Sequence, residues 1–177
     1  IRFADTLRDG AADVVAALRQ QGKRVILISG DTQAAVARFA QDIGITEVIA
    51  EALPQDKAAL VADLSAGGAK VLMVGDGLND TAALAAAHVS ISPASALDAA
   101  RAASDMVLMG RSLAPIADAI RTSVSARARI RENFTIATVY NVLAVPLAVA
   151  GLCSPLIAAL AMSSSSITVS LNALRLR

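Results

Sequence analysis

The sequence predicts an α/β fold, a parallel sheet with helices on both faces, followed by a two-helix transmembrane hairpin. Three observations predict it. Up to about residue 110, short apolar runs alternate with helical stretches that end at glycines. One apolar run, Val71-Leu72-Met73-Val74, stops at Gly75-Asp76-Gly77-Leu78-Asn79-Asp80, as a buried strand does when it delivers side chains to the carboxyl edge of a sheet. From Phe134 to Leu174 there is no Asp, Glu, His, Lys or Arg.

In chain order, Asp9 to Gln21 reads as a helix closed by Gly22, and Arg24 to Ser29 as a buried strand. Thr32 to Ile43 is a helix ended by Gly44, and Glu47 to Ala50 a short strand. Pro54 opens a helix that runs to Ala66, with Gly67-Gly68 at its end, and Lys70 to Val74 is the next strand. Thr81 to Ala87, His88 to Ile91, Ala96 to Ala103 and Asp105 to Met109 continue the alternation. Ser112 to about Arg131 becomes one long helix with Arg121, Arg127, Arg129 and Arg131 on it, running directly into the charge-free stretch and linking the two parts.

That stretch breaks near Gly151-Leu152-Cys153-Ser154-Pro155, leaving two apolar halves of about twenty residues, the length that spans a bilayer as helix. Arg127, Arg129 and Arg131 precede it, and Arg175 and Arg177 follow it. Basic residues at both outer ends predict that both ends are cytoplasmic, with the turn on the far side. A net charge of +1 and 2% aromatic residues leave no basic, aromatic-laced stripe, so no nucleic-acid partner is expected; membrane lipid is. One cysteine, Cys153, rules out an internal disulfide framework. Ile1 falls in mid-pattern and no secretory signal is visible, so the sequence reads as a piece of a longer protein.

The chemistry concentrates at the predicted sheet edge. Gly75 and Gly77 let the backbone approach a ligand closely, and Asp76 and Asp80 offer two carboxylates suited to a hard divalent cation. Asn79 shares that loop. Ile28-Ser29-Gly30-Asp31 is a second strand end, where a hydroxyl and backbone N–H groups at a helix start suit phosphoryl oxygens. Lys57, in Pro54-Gln55-Asp56-Lys57, is a candidate point charge for phosphate. In the hairpin, the first half carries Tyr140-Asn141 and the second Met162 followed by Ser163 to Ser166. Polar residues within a span usually face a partner helix or a transport path, and small-residue packing is the plainer reading of the serines. A thioether with neutral oxygens and no carboxylate suits a soft monovalent metal.

In this order the motifs resemble the haloacid-dehalogenase-like phosphorylation domain of P-type ATPases, over essentially the whole chain. Ser29-Gly30-Asp31 is similar to that family's Thr/Ser-Gly-Asp motif, Lys57 in Pro-x-x-Lys to its phosphate-neutralising lysine, and Gly75-Asp76-Gly77-x-Asn79-Asp80 to its magnesium hinge. Asp5 and Arg8 look like its Asp-x-x-Arg segment. The resemblance implies that residues 1–110 are the C-terminal part of a phosphorylation domain, 111–132 a connecting helix and 133–177 two transmembrane helices. It implies ATP and magnesium (Mg2+) as cofactors, and a phosphorylation-driven shift of the long helix and the spans. Tyr140-Asn141 and Met162-x-x-Ser165-Ser166 resemble the last two spans of copper(I)-transporting ATPases, which implies Cu+ as the transported ion, a copper chaperone or acceptor as partner, and a bacterial inner membrane as location. The Gly-x-Gly-Thr-Asp loop expected after His88 is replaced by Ser92-Pro93-Ala94-Ser95-Ala96-Leu97-Asp98, a variant that looks like the copper ATPases of nitrogen fixation and cytochrome oxidase assembly.

The family's phosphorylated aspartate, in Asp-Lys-Thr-Gly-Thr, does not occur in the sequence, and by the resemblance it would precede residue 1. The polypeptide by itself is therefore expected to be inactive. Three other readings stay open: a membrane-tethered phosphatase of the same soluble fold, a non-catalytic membrane regulator, and a P-type ATPase for another heavy metal.

Overall fold

The computed structural model describes residues 8–110 and 112–176. Asp5 lies outside the described residues. The chain divides into two compact units, Ile1–Ala117 and Asp118–Arg177.

In the first unit α1 (Ala11–Gln20), β1 (Ile26–Ile28), α2 (Gln33–Ile43), β2 (Glu47–Ile49), α3 (Pro54–Ala66) and β3 (Leu72–Val74) follow in order. A single 3-10 turn, Leu78–Asp80, leads into α4 (Thr81–Ala86), then β4 (Val89–Pro93), α5 (Asp98–Ala102) and β5 (Met106–Leu108). Every ladder is parallel, because each strand is followed by a helix that returns the chain to the same end. Among the described residues the strands form two sets, β1-β2 and β3-β4-β5, where the sequence predicted one sheet. Four of the strands are also shorter than predicted, while β4 runs on past Ile91 to Pro93.

That division explains a second departure. The strand predicted from Arg24 to Ser29 was expected to be buried, yet β1 is only half-buried along its length, and Val74 of β3 is exposed. Among the described residues each has a ladder partner on one side alone. β4, flanked on both sides, is buried from Ser90 to Pro93.

Local chemistry sets the helix ends. α2 begins after Thr32 in extended conformation and stops at Gly44, whose φ of 75° is the left-handed conformation a glycine takes without penalty. Val36 and Ala40, four residues apart, are its buried stripe. Pro54 occupies the first helical position of α3, where its missing N–H costs nothing, and the Asp56 carboxylate accepts the Leu53 N–H at 2.9 Å. Two apolar clusters hold the layers together. Val15, Ala40 and Ile45 pack with Leu27 and Val48, and Leu84, Ala96 and Ala100 pack with Met73. Burying a side chain such as Leu84 contributes about 2 kcal/mol. At the opposite end of the β1-β2 ladder Arg24 grips Glu47 through two of its nitrogens. The guanidinium hydrogen bonds hold the Glu47 carboxyl below its ordinary range, so this contact is present above that range and is lost as pH falls through the lowered value.

The long helices are α6 (Ala114–Val149) and α7 (Pro155–Ala173), both long and apolar enough to cross a membrane. At about 1.5 Å per residue, the 36 residues of α6 are longer than the ~30 Å hydrocarbon thickness of a bilayer, and its arginines all fall in its first half. α7 starts at Ser154, whose hydroxyl accepts the Ile157 N–H, with Pro155 next. Pro146 lies inside α6, near its end at Val149, and has no N–H to donate to the Val142 carbonyl. A short 3-10 turn, Leu174–Leu176, follows α7.

Candidate functional site

β3 ends at Val74, and the chain turns through Gly75, Asp76 and Gly77 into the 3-10 turn that carries Asp80. Asp80 folds back under this loop. Its carboxylate accepts the Gly77 N–H at 3.2 Å and meets Lys57 Nζ at 2.7 Å, with both side chains 12% exposed. Lys57 reaches it from the first turn of α3, which packs closely on α4. A carboxylate and an ammonium so nearly desolvated persist because they are paired and further hydrogen-bonded; either one left alone would be costly.

Gly75 is required by contact. A Cβ there would lie 2.8 Å from the Cβ of Asp80, closer than real side chains come. Gly75→Ala is therefore expected to lose about 1–3 kcal/mol of stability and to release Asp80 from Lys57. Faster hydrogen exchange at the Gly77 and Asp80 amides would report it, and unchanged exchange would refute it.

Asp76 is exposed and is held from another direction. Arg8 Nη2 lies 3.0 Å from its carboxylate and 3.4 Å from the Ser95 hydroxyl, and the Asp76 carbonyl accepts the Leu97 N–H at 3.4 Å. The stretch Ser92–Asp98, whose sequence departs from the family pattern, thus reaches Asp76 once directly, through the Leu97 N–H, and once through Arg8, which Ser95 holds. Ser95 was not among the predicted site residues, and only the oddity of that loop could have pointed to it. Asn79 is exposed on the same loop as Asp76. Asp98, the one residue of the usual loop that is retained, pairs with Arg101 on the surface instead.

Ser29, Gly30 and Asp31 form the turn after β1. The Ser29 hydroxyl donates to Asp31 Oδ2 at 2.7 Å and accepts the Asp31 N–H at 3.2 Å, and Thr32, not Ser29, is the residue that precedes the first turn of α2. Ala52 N–H donates to the Ser29 carbonyl, and the space beside Gly30 is closed by the Ala52 carbonyl at 3.3 Å. This seats the turn against the residues that lead into α3 and Lys57. The structure therefore brings Lys57 to Asp80 and Arg8 to Asp76, while Ser29 and Asp31 bond to each other. Asp76 and Asp80 are hard oxygen donors and fit magnesium, and each is held by a cation with which a metal ion could exchange.

In the second unit the half-buried residues of α6 at Asn133, Ile136, Tyr140 and Ala144 match those of α7 at Val169, Ser165 and Ala161 and the buried Asn172, step for step in antiparallel order. Tyr140 and Ser165 lie in that seam. Asn141, Met162 and Ser166 are exposed. One residue forward turns about 100° on either helix, and because the helices run antiparallel both steps turn towards the same flank. Asn141, Met162 and Ser166 consequently share one side of the hairpin.

Residues 1–88 match the family described as haloacid dehalogenase-like hydrolase. The nitrogen fixation protein FixI of Bradyrhizobium diazoefficiens is 49% identical over 97% of this chain, which spans 23% of that protein. A copper-exporting P-type ATPase of Bacillus subtilis is 41% identical over 100% of this chain, which spans 22% of it. Among solved structures, a zinc-transporting PIB-type ATPase in the E2.Pi state superposes with a TM-score of 0.90 at 34% identity, over 97% of this chain and 28% of that one. The parallel strands and their helices have the haloacid dehalogenase-like fold, followed by two long apolar helices as in a PIB-type ATPase. The close homologues of the chain are the FixI proteins and the copper-exporting P-type ATPases, and it spans about a quarter of their length.

Proposed function

We propose that this chain supplies the magnesium- and phosphate-handling half-site and the last two membrane spans of an ATP-driven copper(I) exporter. The supporting observation is the 2.7 Å Lys57–Asp80 pair inside the Gly75–Asp80 loop, in a chain homologous along its length to P-type ATPases. Residues 1–110 are the C-terminal part of the phosphorylation domain, 111–132 the connecting helix and 133–177 the spans, in a bacterial inner membrane with both ends cytoplasmic. A copper chaperone or acceptor protein is the expected partner.

Each residue has a part. Lys57 neutralises phosphoryl oxygens, and the Ser29 hydroxyl with the Gly30 and Asp31 backbone positions them. Asp76 and Asp80 hold magnesium, and Asn79 beside them orients the loop. The bound ion supplies positive charge against the phosphoryl oxygens as negative charge moves between them. Arg8 competes with that ion for Asp76. Arg8→Ala is expected to lower the magnesium needed for half-maximal phosphorylation of the full-length parent about threefold, a modest effect because both side chains are partly solvated. A higher requirement would mean that Arg8 positions Asp76 instead of screening it.

Copper(I) is favoured over other cargo by the donors themselves. Met162, Asn141 and Ser166 on one flank, with Tyr140 and Ser165 in the seam, provide a thioether and neutral oxygens and no carboxylate. Zinc is a second reading, favoured by the superposition on a zinc transporter. ATP hydrolysis by the full-length parent in lipid, with copper(I) under reducing conditions against zinc(II) and cobalt(II), separates the two. Stimulation by copper alone supports the proposal; stimulation by zinc or cobalt rejects it. Hydrolysis of phosphate esters without metal stimulation would transfer the case to a tethered phosphatase.

A further inference from the structure

The seam between α6 and α7 ends in a polar cluster that the copper-path residues do not include. Asn172 is buried, at 8% exposure, on a helix that is otherwise mostly exposed. Its amide Nδ2 donates to Asn133 Oδ1 at 2.9 Å, and its own Oδ1 accepts from Arg175 Nη1 at 3.4 Å. One turn before Asn133, Arg129 pairs with Glu132 at 2.7 Å, and its buried Nε has no hydrogen-bond partner among the described residues. A buried amide that donates and accepts is satisfied in few arrangements, so it specifies alignment in a way apolar contacts cannot.

We propose that the Asn133–Asn172 pair is a positioning clasp that fixes the register of the two spans and thereby the height of the copper-path donors. The inference rests on the exporter reading. The two helices are antiparallel and meet at this hydrogen bond, and counting away from it half-buried positions fall at equal steps on both: Ile136 and Val169 at three residues, Tyr140 and Ser165 at seven, Ala144 and Ala161 at eleven. Seven residues from the clasp on either helix, about 10 Å along the axis, lie Tyr140 and Ser165. Asn141 sits between Met162 and Ser166 in height on the shared flank. The rest of the seam is Ile136, Tyr140, Ala144, Val169, Ser165 and Ala161, and among the described residues no other hydrogen bond joins the two helices along it. A slip of one helical turn would move Met162 and Ser166 about 5 Å relative to Asn141 and separate the donors. Apolar packing between spans has no hydrophobic drive in lipid, so a hydrogen-bonded amide pair at one end is the available means of fixing alignment.

The test uses the full-length parent in lipid with Cys153→Ser and a cysteine pair at Ala144 and Ala161, neither of which is a proposed ligand. The pair is expected to cross-link readily with Asn133 and Asn172 intact. Asn172→Leu or Asn133→Leu should reduce that yield at least threefold and raise cross-linking of the slipped pair Ala144 and Ala158. In separate parents without the cysteine pair, the same variants should raise the copper(I) concentration for half-maximal ATPase stimulation about tenfold, with the saturated rate changed less than twofold. Asn172→Gln, which keeps an amide, should recover part of both. Unchanged cross-linking in Asn172→Leu overturns the clasp as a register device. Slippage with an unchanged copper requirement, or a lost rate at an unchanged copper requirement, overturns its role in placing the donors. Cross-linking reads the register whether or not copper stimulates hydrolysis, so a parent with no copper response would sink the exporter reading without deciding the alignment.

Discussion

Asp80→Ala is expected to abolish phosphoenzyme formation by the full-length parent, lowering acid-stable label from γ-labelled ATP by at least about a thousandfold. Two losses combine. The carboxylate proposed to hold magnesium is gone, and the Lys57 ammonium, 12% exposed, is left without the group that lies 2.7 Å away. Removing one partner of so nearly buried a pair costs about 3–5 kcal/mol, so amide exchange in α4, which follows Asp80 directly, should also accelerate. Asp80→Asn separates these effects. It keeps an oxygen for the Gly77 N–H and much of the packing, so exchange should recover in part while labelling does not. Normal labelling of either variant would reject the role given to Asp80.

The second large effect falls in the membrane. Met162→Ala should remove copper(I) stimulation of ATP hydrolysis, reducing it at least about a hundredfold at fixed copper, since the one thioether of these two spans is lost. Its geometry makes the outcome informative. Met162 is 65% exposed in this hairpin, on the flank away from the α6–α7 seam, so truncation removes no packing between these two helices. Yield and helix content in detergent should match the wild type. Retained stimulation would mean that the thioether is not a ligand. A collapse of yield would mean instead that Met162 packs against another span.

The sequence by itself determined the class of fold, the parallel alternation, the membrane hairpin and the identity of the loop residues. These are local properties. A run of apolar residues ending in Gly-Asp-Gly, a proline at a helix start and a charge-free stretch each bias the backbone or its solvent within a few residues. It did not determine which groups would touch. Lys57 meets Asp80 because α3 packs on α4, and Arg8 meets Asp76 and Ser95 because residues far apart in sequence end at one sheet edge. The half-buried state of β1 and β3 also belongs to tertiary structure, since exposure depends on which strands lie alongside. In the hairpin, the polar residues were legible but their sorting was not. Tyr140 and Ser165 face the neighbouring helix, whereas Asn141, Met162 and Ser166 turn outward together, and Asn133 and Asn172 drew no notice. An asparagine near a helix end reads as an ordinary interfacial residue until the partner helix supplies the second asparagine at 2.9 Å. Pairing at a distance depends on the angle and register between elements, and no local spacing encodes that.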